Sequence, residues 1–262
     1  MKSPRYDLHM HTKYLGCANA TMEIPAMVAE CQRLGVQVVG ITDHLNTLDQ
    51  LPLHAPVRDE IAALDTDIEV YFGVELNYQA CDGEYAYSAE IQEQMGFQFA
   101  IGGIHRPYLE TYDLRELVEI QHRHHLKTCA DPLVQVLVHP YWFGKRDFDE
   151  RGWPWFNSMR AVSKELAREL GQAARDTGTA IEINACANLV NPAYSDDYVK
   201  EYIEYLGEIA SEGAMFSVGS DAHDIRQLAK VQRAWQVVEE LGLPPERIWR
   251  PTGKSLGGSA RR

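Results

Sequence analysis

Short apolar runs alternate with amphipathic segments along most of the chain. Seven runs rich in β-branched and aromatic residues have the length of buried strands, and a segment with helical spacing follows each one. The predicted strands are Tyr6–His9, Val36–Thr42, Ile68–Val74, Phe97–Ile104, Leu133–Val138, Thr179–Ile183 and Ala214–Val218. The predicted helices are Met22–Leu34, Val57–Leu64, Ser88–Met95, Leu114–Cys129, Ser158–Asp176, Asp196–Ser211 and Gln227–Leu241.

Repeated strand-then-helix units predict an α/β fold with parallel strands and covering helices. No linker rich in Pro, Gly or Ser divides the chain, so residues 1–262 are interpreted as one domain. Its core is expected over about residues 5–242, with a disordered tail from about residue 253. An irregular barrel of about seven strands is favoured over an open sheet, because polar residues follow nearly every strand and a barrel gathers strand ends around one mouth.

Composition and charge narrow the classes of partner. No run of 18 apolar residues is present, which excludes a membrane-spanning helix. The net charge of −13 disfavours long nucleic acid but allows a small phosphorylated substrate, because bound divalent metals would reverse the local field. Five scattered cysteines without C-x-x-C spacing, and a start without a signal-peptide pattern, predict reduced thiols and a cytoplasmic location.

Histidines and carboxylates concentrate where the predicted strands end. Two residues apart in an extended chain, His9 and His11 point to the same side. The other strand-end residues of these types are Asp7, Asp43, His44, Glu75, His105, His139, Asp221 and His223. Imidazole and carboxylate ligands without clustered cysteine suit Zn²⁺, Mn²⁺ or Fe²⁺. These candidate ligands are too many for one tetrahedral ion. Two or three divalent metals are therefore expected, and Glu75 could bridge two of them.

The ordered motifs Asp-x-His-x-His, Thr-Asp-His, Gly-x-Glu, Gly-x-x-His, His-Pro and Ser-Asp-x-His resemble the polymerase and histidinol phosphatase (PHP) superfamily. The resemblance extends from Asp7 to His223. It implies a distorted (β/α)₇, TIM-like barrel, a trinuclear metal site and hydrolysis of phosphoesters. The implied ligands are His9, His11, Glu75 and Asp221 for one metal, Glu75, His105 and His139 for a second, and His44 and His223 for a third. The chain departs from the family pattern at Cys17, where a His or Asp is usual. The cysteine could ligate as a thiolate, the loop alignment could slip, or the third metal could be weakly held.

The mechanism expected from such a site is attack on phosphorus by a hydroxide that bridges two metals. Asp221 and His223 are the expected catalytic residues, and protonation of the leaving group is assigned either to His223 or to a metal-bound water. The expected phosphate-binding residues are Arg106, Lys145 and Arg146.

Other polar and aromatic residues have less specific interpretations. Asp7 and Asp43 are expected to orient neighbouring histidines by hydrogen bonding rather than to bind metal. Asn184 is expected either to contact metal-bound water or substrate or to cap a turn. His54 is expected in a loop. The aromatic stretch between Pro140 and Asn157 either lines a substrate pocket or, as favoured here, forms a packed lid. The remaining histidines are expected at the surface of one helix, because their spacing puts them on different faces; they are His122, His124 and His125.

The favoured function is phosphomonoester hydrolysis of the histidinol-phosphatase type. Within the same superfamily, a phosphodiesterase or exonuclease acting on small nucleotides is the alternative. A catalytically silent metal-binding module predicts lost ligands, and only the position of Cys17 departs from the pattern. A binuclear amidohydrolase ranks last, because no lysine stands at a strand end. The oligomeric state is left open.

Overall fold

Eight strands form one parallel sheet in the computed structural model, which describes residues 5–258. The strands are β1 Arg5–Asp7, β2 Val36–Ile41, β3 His44–Leu45, β4 Glu69–Asn77, β5 Phe99–Gly103, β6 Val136–Leu137, β7 Ala180–Asn184 and β8 Phe216–Gly219. Their spatial order is β1-β2-β4-β5-β6-β7-β8, and the two-residue β3 pairs with β4 beside the main path. Every strand pair in this sheet is parallel, as the alternation of apolar runs predicts.

Backbone hydrogen bonds join the two edges of the sheet. Leu8 N donates to Val218 O at 2.9 Å, and Asp221 N donates to His9 O at 2.8 Å. The sheet is therefore a nearly closed barrel, and the predicted seven-stranded, TIM-like fold is confirmed, with β3 as a short addition.

Helices surround the barrel. They are α1 Ile24–Arg33, α2 Leu51–Ala62, α3 Ala89–Met95, α4 Leu114–Ala130, α5 Lys145–Arg151, α6 Lys164–Thr177, α7 Asp196–Ser211 and α8 Val231–Glu240. Polar N-cap side chains set several starting points: Ser88, Asp113, Ser163 and Ser195 each accept a hydrogen bond from an amide three residues on. Within residues 5–258, no helix has both the length and the apolar character needed to cross a bilayer.

Helix α2 begins six residues earlier than predicted. Pro52 and Pro56 suggest a loop, but Pro52 lies in the first turn, where the missing N–H has no helical partner in any case. The expectation that His54 lies in a loop is therefore wrong. His54 is fully buried in α2, and its Nε2 lies 3.2 Å from the carbonyl oxygen of His44.

The histidines of α4 are buried, so their expected surface position is also wrong. His124 Nδ1 donates to Ile120 O at 2.7 Å, which is one turn earlier in the helix. The ring of His125 packs edge-on against Tyr141, and His122 lies 3.0 Å from a carboxylate of the neighbouring α6. Helix α4 lies between the barrel and α6, so neighbours cover more of its circumference than an amphipathic pattern indicates.

The C-terminal segment closes the end of the barrel where the strands begin. Trp249 N donates to Phe216 O at 2.7 Å, and Gly257 exchanges two backbone hydrogen bonds with Val70 at 3.0 and 3.1 Å. Residues 253–258 are therefore attached to the barrel instead of disordered, because they supply backbone partners to β4. The rest of the predicted disordered tail, residues 259–262, lies outside the described residues. The interpretation of the chain as a single domain stays a prediction.

The close fit of the tail yields a stability prediction. A Cβ atom on Gly257 would lie 2.5 Å from the carbonyl oxygen of Ile61, which is backbone and cannot rotate away. Gly257→Ala should therefore lower the free energy of unfolding by about 1–3 kcal/mol, measured by denaturant titration. Gly207→Ala is the matched control, because its Cβ would meet only Leu241 Cδ2 at 3.7 Å. This helical substitution should be neutral or stabilising by up to about 1 kcal/mol. Equal stability of the two variants would show that the tail does not pack as described.

Candidate metal centre

All eight predicted metal ligands meet at the carboxyl ends of the strands. His9 and His11 follow β1, and Asp221 and His223 follow β8. The others are His44 in β3, Glu75 in β4, His105 after β5 and His139 after β6. The parallel register of β3 and β4 pairs His44 directly with Glu75. Short parallel strands thus bring side chains from six separate stretches of sequence to one mouth, as expected for a barrel.

The carboxylate of Glu75 is the centre of this group and is completely buried. Its Oε2 atom lies 2.8 Å from His44 Nδ1 and 3.3 Å from the Nε2 atoms of both His9 and His11. Its Oε1 atom faces a second set, 3.0 Å from His105 Nε2 and 3.2 Å from His139 Nε2.

The two oxygens of Glu75 therefore face different groups of imidazoles. This is the arrangement that a carboxylate adopts when it bridges two cations, each held by further nitrogen ligands.

Asp221 adds a second carboxylate beside the first group. Its Oδ1 atom lies 3.3 Å from His11 Nε2, 3.6 Å from His9 Nε2 and 3.5 Å from His223 Nδ1. Asp221 and His139 both have positive backbone φ, 55° and 28°, which is unfavourable for residues with side chains. Such strain costs about 1–3 kcal/mol per residue and concentrates where function requires a particular side-chain direction.

Glu182, on β7, is a buried acid that was not among the predicted site residues. His9 Nδ1 donates to its Oε1 at 2.7 Å, and the backbone amide of His139 donates to its Oε2 at 2.9 Å. Asn184 Nδ2 also donates to Oε2, and Asn184 Oδ1 caps the following turn, as one of its two expected roles requires. Its other expected role, contact with metal-bound water or substrate, stays a prediction. Gly219 leaves the space for this pair, since a Cβ there would collide with Glu182 and His9.

The sequence does carry a signal for this residue. In Ala-Ile-Glu-Ile-Asn, an ionisable side chain interrupts a strand that is otherwise typical of a sheet buried on both faces. A charged group in such a strand requires a buried partner.

The hydrogen bond to Glu182 determines what His9 offers to the site. With its Nδ1–H donated, a neutral His9 presents only a lone pair at Nε2. That atom faces carboxylate oxygens of Glu75 and Asp221, and it lies 3.1 Å from His11 Nε2. Several acceptors directed at one another require a positive charge between them. The donor set of imidazole nitrogen and carboxylate oxygen therefore fits divalent Zn, Mn or Fe.

Protonation of the site follows from its burial and charge. Burial, reinforced by the neighbouring His44, lowers the pKa of His11 to about 3, and burial lowers that of His105 to about 4, so both rings are neutral near pH 7. Burial also opposes a charge on His9, but the carboxylates of Glu182, Glu75 and Asp221 raise its pKa well above the ordinary value. A cation that binds at His9 would replace this proton.

Two carboxylates at strand ends support the backbone instead of the imidazoles. Asp43 accepts hydrogen bonds from Thr12 N at 2.6 Å and Thr12 Oγ1 at 2.5 Å, whereas its closest approach to His11 Nδ1 is 4.0 Å. Asp7 accepts from Ser220 N at 2.8 Å, and burial raises its pKa to about 7. Asp7 also accepts a hydrogen bond from the backbone amide of His9. The expectation that these two acids orient neighbouring histidines stays a prediction. They connect the loops after β1, β2 and β8.

Cys17 lies beside the site. Its Sγ atom and one ring nitrogen each of His11, His44 and His223 are all within 4.8 Å of one another. Two other groups meet the same criterion: His9, His11 and Asp221, and His44, Glu75 and His105. His44 is thus shared between the groups, whereas the sequence pattern assigns it to the third metal alone. Burial, with Asp43 and Glu75 nearby, raises the pKa of the Cys17 thiol to about 12.

An open cavity of about 600 Å³ adjoins the centre, with His44 and His105 in its wall. Arg106 and Arg151 both line it, and the expected contact of Arg106 with phosphate stays a prediction. Arg151 was not predicted, because it lies in α5, within the stretch interpreted as a loop.

Lys145 and Arg146 lie on α5 outside the wall of this cavity. Each forms an ion pair of 2.6 Å with a carboxylate one turn later, Lys145 with Asp149 and Arg146 with Glu150. Their expected contact with phosphate stays a prediction.

The aromatic stretch after β6 is a packed structure. Tyr141 and Phe143 are buried against Phe156. This packing agrees with the favoured prediction that the stretch forms a packed lid. Trp142 instead lies at the site, with its ring 5.2 Å from that of His139. It therefore shields one side of this imidazole from solvent.

Comparison with known proteins places the geometry in a family. The PHP domain family matches residues 7–186. This chain is 24% identical to a protein of Escherichia coli (strain K12) named "Probable phosphatase YcdX". It is 21% identical to "Probable phosphatase PMI1003" of Proteus mirabilis (strain HI4320). Each alignment covers 92% of this chain and 88% of the relative. The fold is shared with the crystal structure of a Listeria monocytogenes protein provisionally named histidinol phosphatase hisK. The two structures superpose with a TM-score of 0.63 at 12% sequence identity, over 85% of this chain and 97% of that one. This chain belongs to the PHP domain family.

Proposed function

We propose that this protein is a metal-dependent phosphoesterase that hydrolyses small phosphate monoesters. The observation that carries the proposal is the Glu75 carboxylate, with each oxygen directed at a separate set of histidines. The phosphatase names of the relatives support the same reaction class. A centre of this kind needs two or three divalent ions, and Zn, Mn and Fe fit its ligands.

The bound cations would supply Lewis acidity and a nucleophile derived from water near neutral pH. The proposed ligands around them are His9, His11, His44, Glu75, His105, His139, Asp221 and His223. Glu75 would hold a cation at each oxygen, and the strained backbone at Asp221 directs its carboxylate toward His9 and His11.

Substrate binding is assigned to the cavity beside the centre. Its volume of about 600 Å³ is in the range of small-ligand pockets. Arg106 and Arg151 line it, and a guanidinium group can bind phosphate oxygens through paired hydrogen bonds. The acidic balance of the chain argues against long nucleic acid, so a small phosphorylated metabolite is the proposed substrate.

His223 has two alternative roles in this proposal, as a metal ligand or as the proton donor to the leaving group, because a metal on its Nε2 would leave no proton there to donate. Its side chain is 34% exposed, whereas His9 and His11 are buried, so it can reach a substrate at the rim. Its Nδ1 lies 3.1 Å from the carbonyl oxygen of Asp221, which orients the ring.

The direct test is hydrolysis of an aryl phosphate monoester by the full-length protein loaded with Mn²⁺, Zn²⁺ or Fe²⁺. Turnover should disappear on treatment with a chelator and return when metal is restored. Glu75→Gln should lower kcat by a factor of at least about 100, because it removes the buried charge that the proposed cations require, and loss of a single oxyanion-stabilising donor already costs about that much. Chelator-resistant turnover, or none with any of the three metals, would contradict the proposal. Histidinol phosphate and a dinucleotide with a 3′,5′-phosphodiester bond, compared as substrates, distinguish a monoesterase of the histidinol-phosphatase type from a nucleotide phosphodiesterase.

Glu182 should determine metal affinity without touching the metal. Glu182→Gln replaces one acceptor by an NH₂ group, so either His9 or the amide of His139 loses its partner. Metal affinity, measured by calorimetric titration of metal-depleted protein, should fall about 10–100-fold. Glu239→Gln on α8 removes a carboxylate that is 69% exposed, and it should leave affinity unchanged. Equal affinities of the two variants would exclude this role for Glu182.

Arg106 should affect substrate binding more than metal content. Arg106→Ala removes a charged donor from the cavity wall and should reduce kcat/KM by about tenfold or more, mostly through KM, at constant metal stoichiometry. Arg115→Ala removes an exposed arginine paired with Glu119 and is the control. An unchanged KM in Arg106→Ala would place the phosphate elsewhere.

A further inference from the structure

We propose that Cys17 is a metal ligand, and that it completes with His44 and His223 an outer site whose thiolate selects for thiophilic cations. The inference rests on the proposed function, because it adds a ligand to the same centre. It concerns the position at which this chain departs from the motif pattern of its family.

The first support is the meeting of four ligand atoms. The sulfur of Cys17 and nitrogens of His11, His44 and His223 lie within 4.8 Å of one another, so Cys17, His44 and His223 could draw in around one ion beside the ring of His11. Histidine nitrogen and cysteine sulfur are both ligands of tetrahedral zinc. His11 is fully buried, and its Nδ1 has no hydrogen-bond partner among the described residues.

The second support is the way in which the loop carrying Cys17 is held. Thr12, before the loop, donates two hydrogen bonds to Asp43, which directly precedes His44. Asn19, after it, donates its amide to the carbonyl oxygen of His223 at 2.9 Å. The loop is thus attached to the neighbours of both proposed partner ligands, and Gly16, with φ of 77°, makes the turn that precedes the cysteine.

The group of ligands around Glu75 and Asp221 leaves Cys17, His44 and His223 available for the outer site. His11 Nε2 lies 3.3 Å from both Glu75 Oε2 and Asp221 Oδ1, so it belongs to the inner group. His44 has only its Nδ1 beside Glu75, and its Nε2 remains for another ion. Cys17 and His223 are the more exposed members, which places the outer site toward solvent and leaves a coordination position for substrate.

The chemistry of a thiolate gives this site a distinct preference. Sulfur ligands favour Zn²⁺ and Co²⁺ over Mn²⁺ and Mg²⁺, which prefer oxygen. As the bond from sulfur to the metal forms, the thiol proton passes to solvent, so no oxidant or reductant is required.

Cobalt is the probe that separates sulfur from nitrogen and oxygen ligands. Full-length protein, depleted of metal and titrated with Co²⁺ under reducing conditions, should develop a near-ultraviolet sulfur-to-cobalt charge-transfer band. Cys17→Ser should abolish the band, and Cys17→His should abolish it while keeping the number of bound Co²⁺ ions. Cys186→Ser is the matched control, because this half-buried thiol also lies near Asp221 but outside the group of four, and it should retain the band.

The outcomes separate this inference from the proposed function. Co²⁺ bound without the band, or a band that persists in Cys17→Ser, would overturn the role of Cys17 and leave the Glu75 centre intact. Failure of the protein to bind any Co²⁺ would overturn both. Loss of the band in Cys17→Ser together with one bound ion fewer, and recovery of that ion in Cys17→His, is the result that the outer site requires.

Discussion

The carboxylate of Glu75 is fully buried among five histidine side chains, and the charge balance at this point governs the surrounding structure. A buried carboxylate is costly unless positive charge and hydrogen-bond donors compensate it. In the absence of metal, protons on the imidazoles supply that charge, since Glu75 raises the pKa of His44 against the effect of burial. With metal, cations replace those protons. The site is therefore built for a positive charge, and protons and metals compete for it.

A second layer of interactions keeps the ligands in place. Glu182 connects β7 to His9 and to the backbone of His139, while Asp43 and Asp7 connect the loops after three strands. The positive φ values at His139 and Asp221 show that the backbone tolerates local strain at the ligands. The barrel compensates for this strain through its nearly closed sheet and the buried apolar side chains around it. Stability is thus concentrated in the strands, and the mouth retains the less favourable conformations that binding requires.

The fold and the meeting of the candidate ligands could be predicted because one pattern encodes both. Buried parallel strands are continuous apolar runs, and the polar residues that first follow each run mark the mouth, which locates His44, Glu75 and His105 without any structure. Tertiary contacts without a local signature could not be predicted in this way. The three histidines of α4 are polar in sequence but covered by different neighbours, and Arg151 reaches the cavity only because α5 folds within the aromatic stretch. Glu182 carried a signal, the lone acid in an apolar strand, but its partners come from distant strands.

The central claim is that two cations lie on either side of the Glu75 carboxylate. Anomalous X-ray diffraction from crystals of the metal-loaded protein tests it most directly. The account predicts one peak between Glu75 Oε2 and the nitrogens of His9 and His11, and a second between Glu75 Oε1 and those of His105 and His139. Crystals of active protein without anomalous density at either position, and with Glu75 held only by protonated histidines, would contradict it.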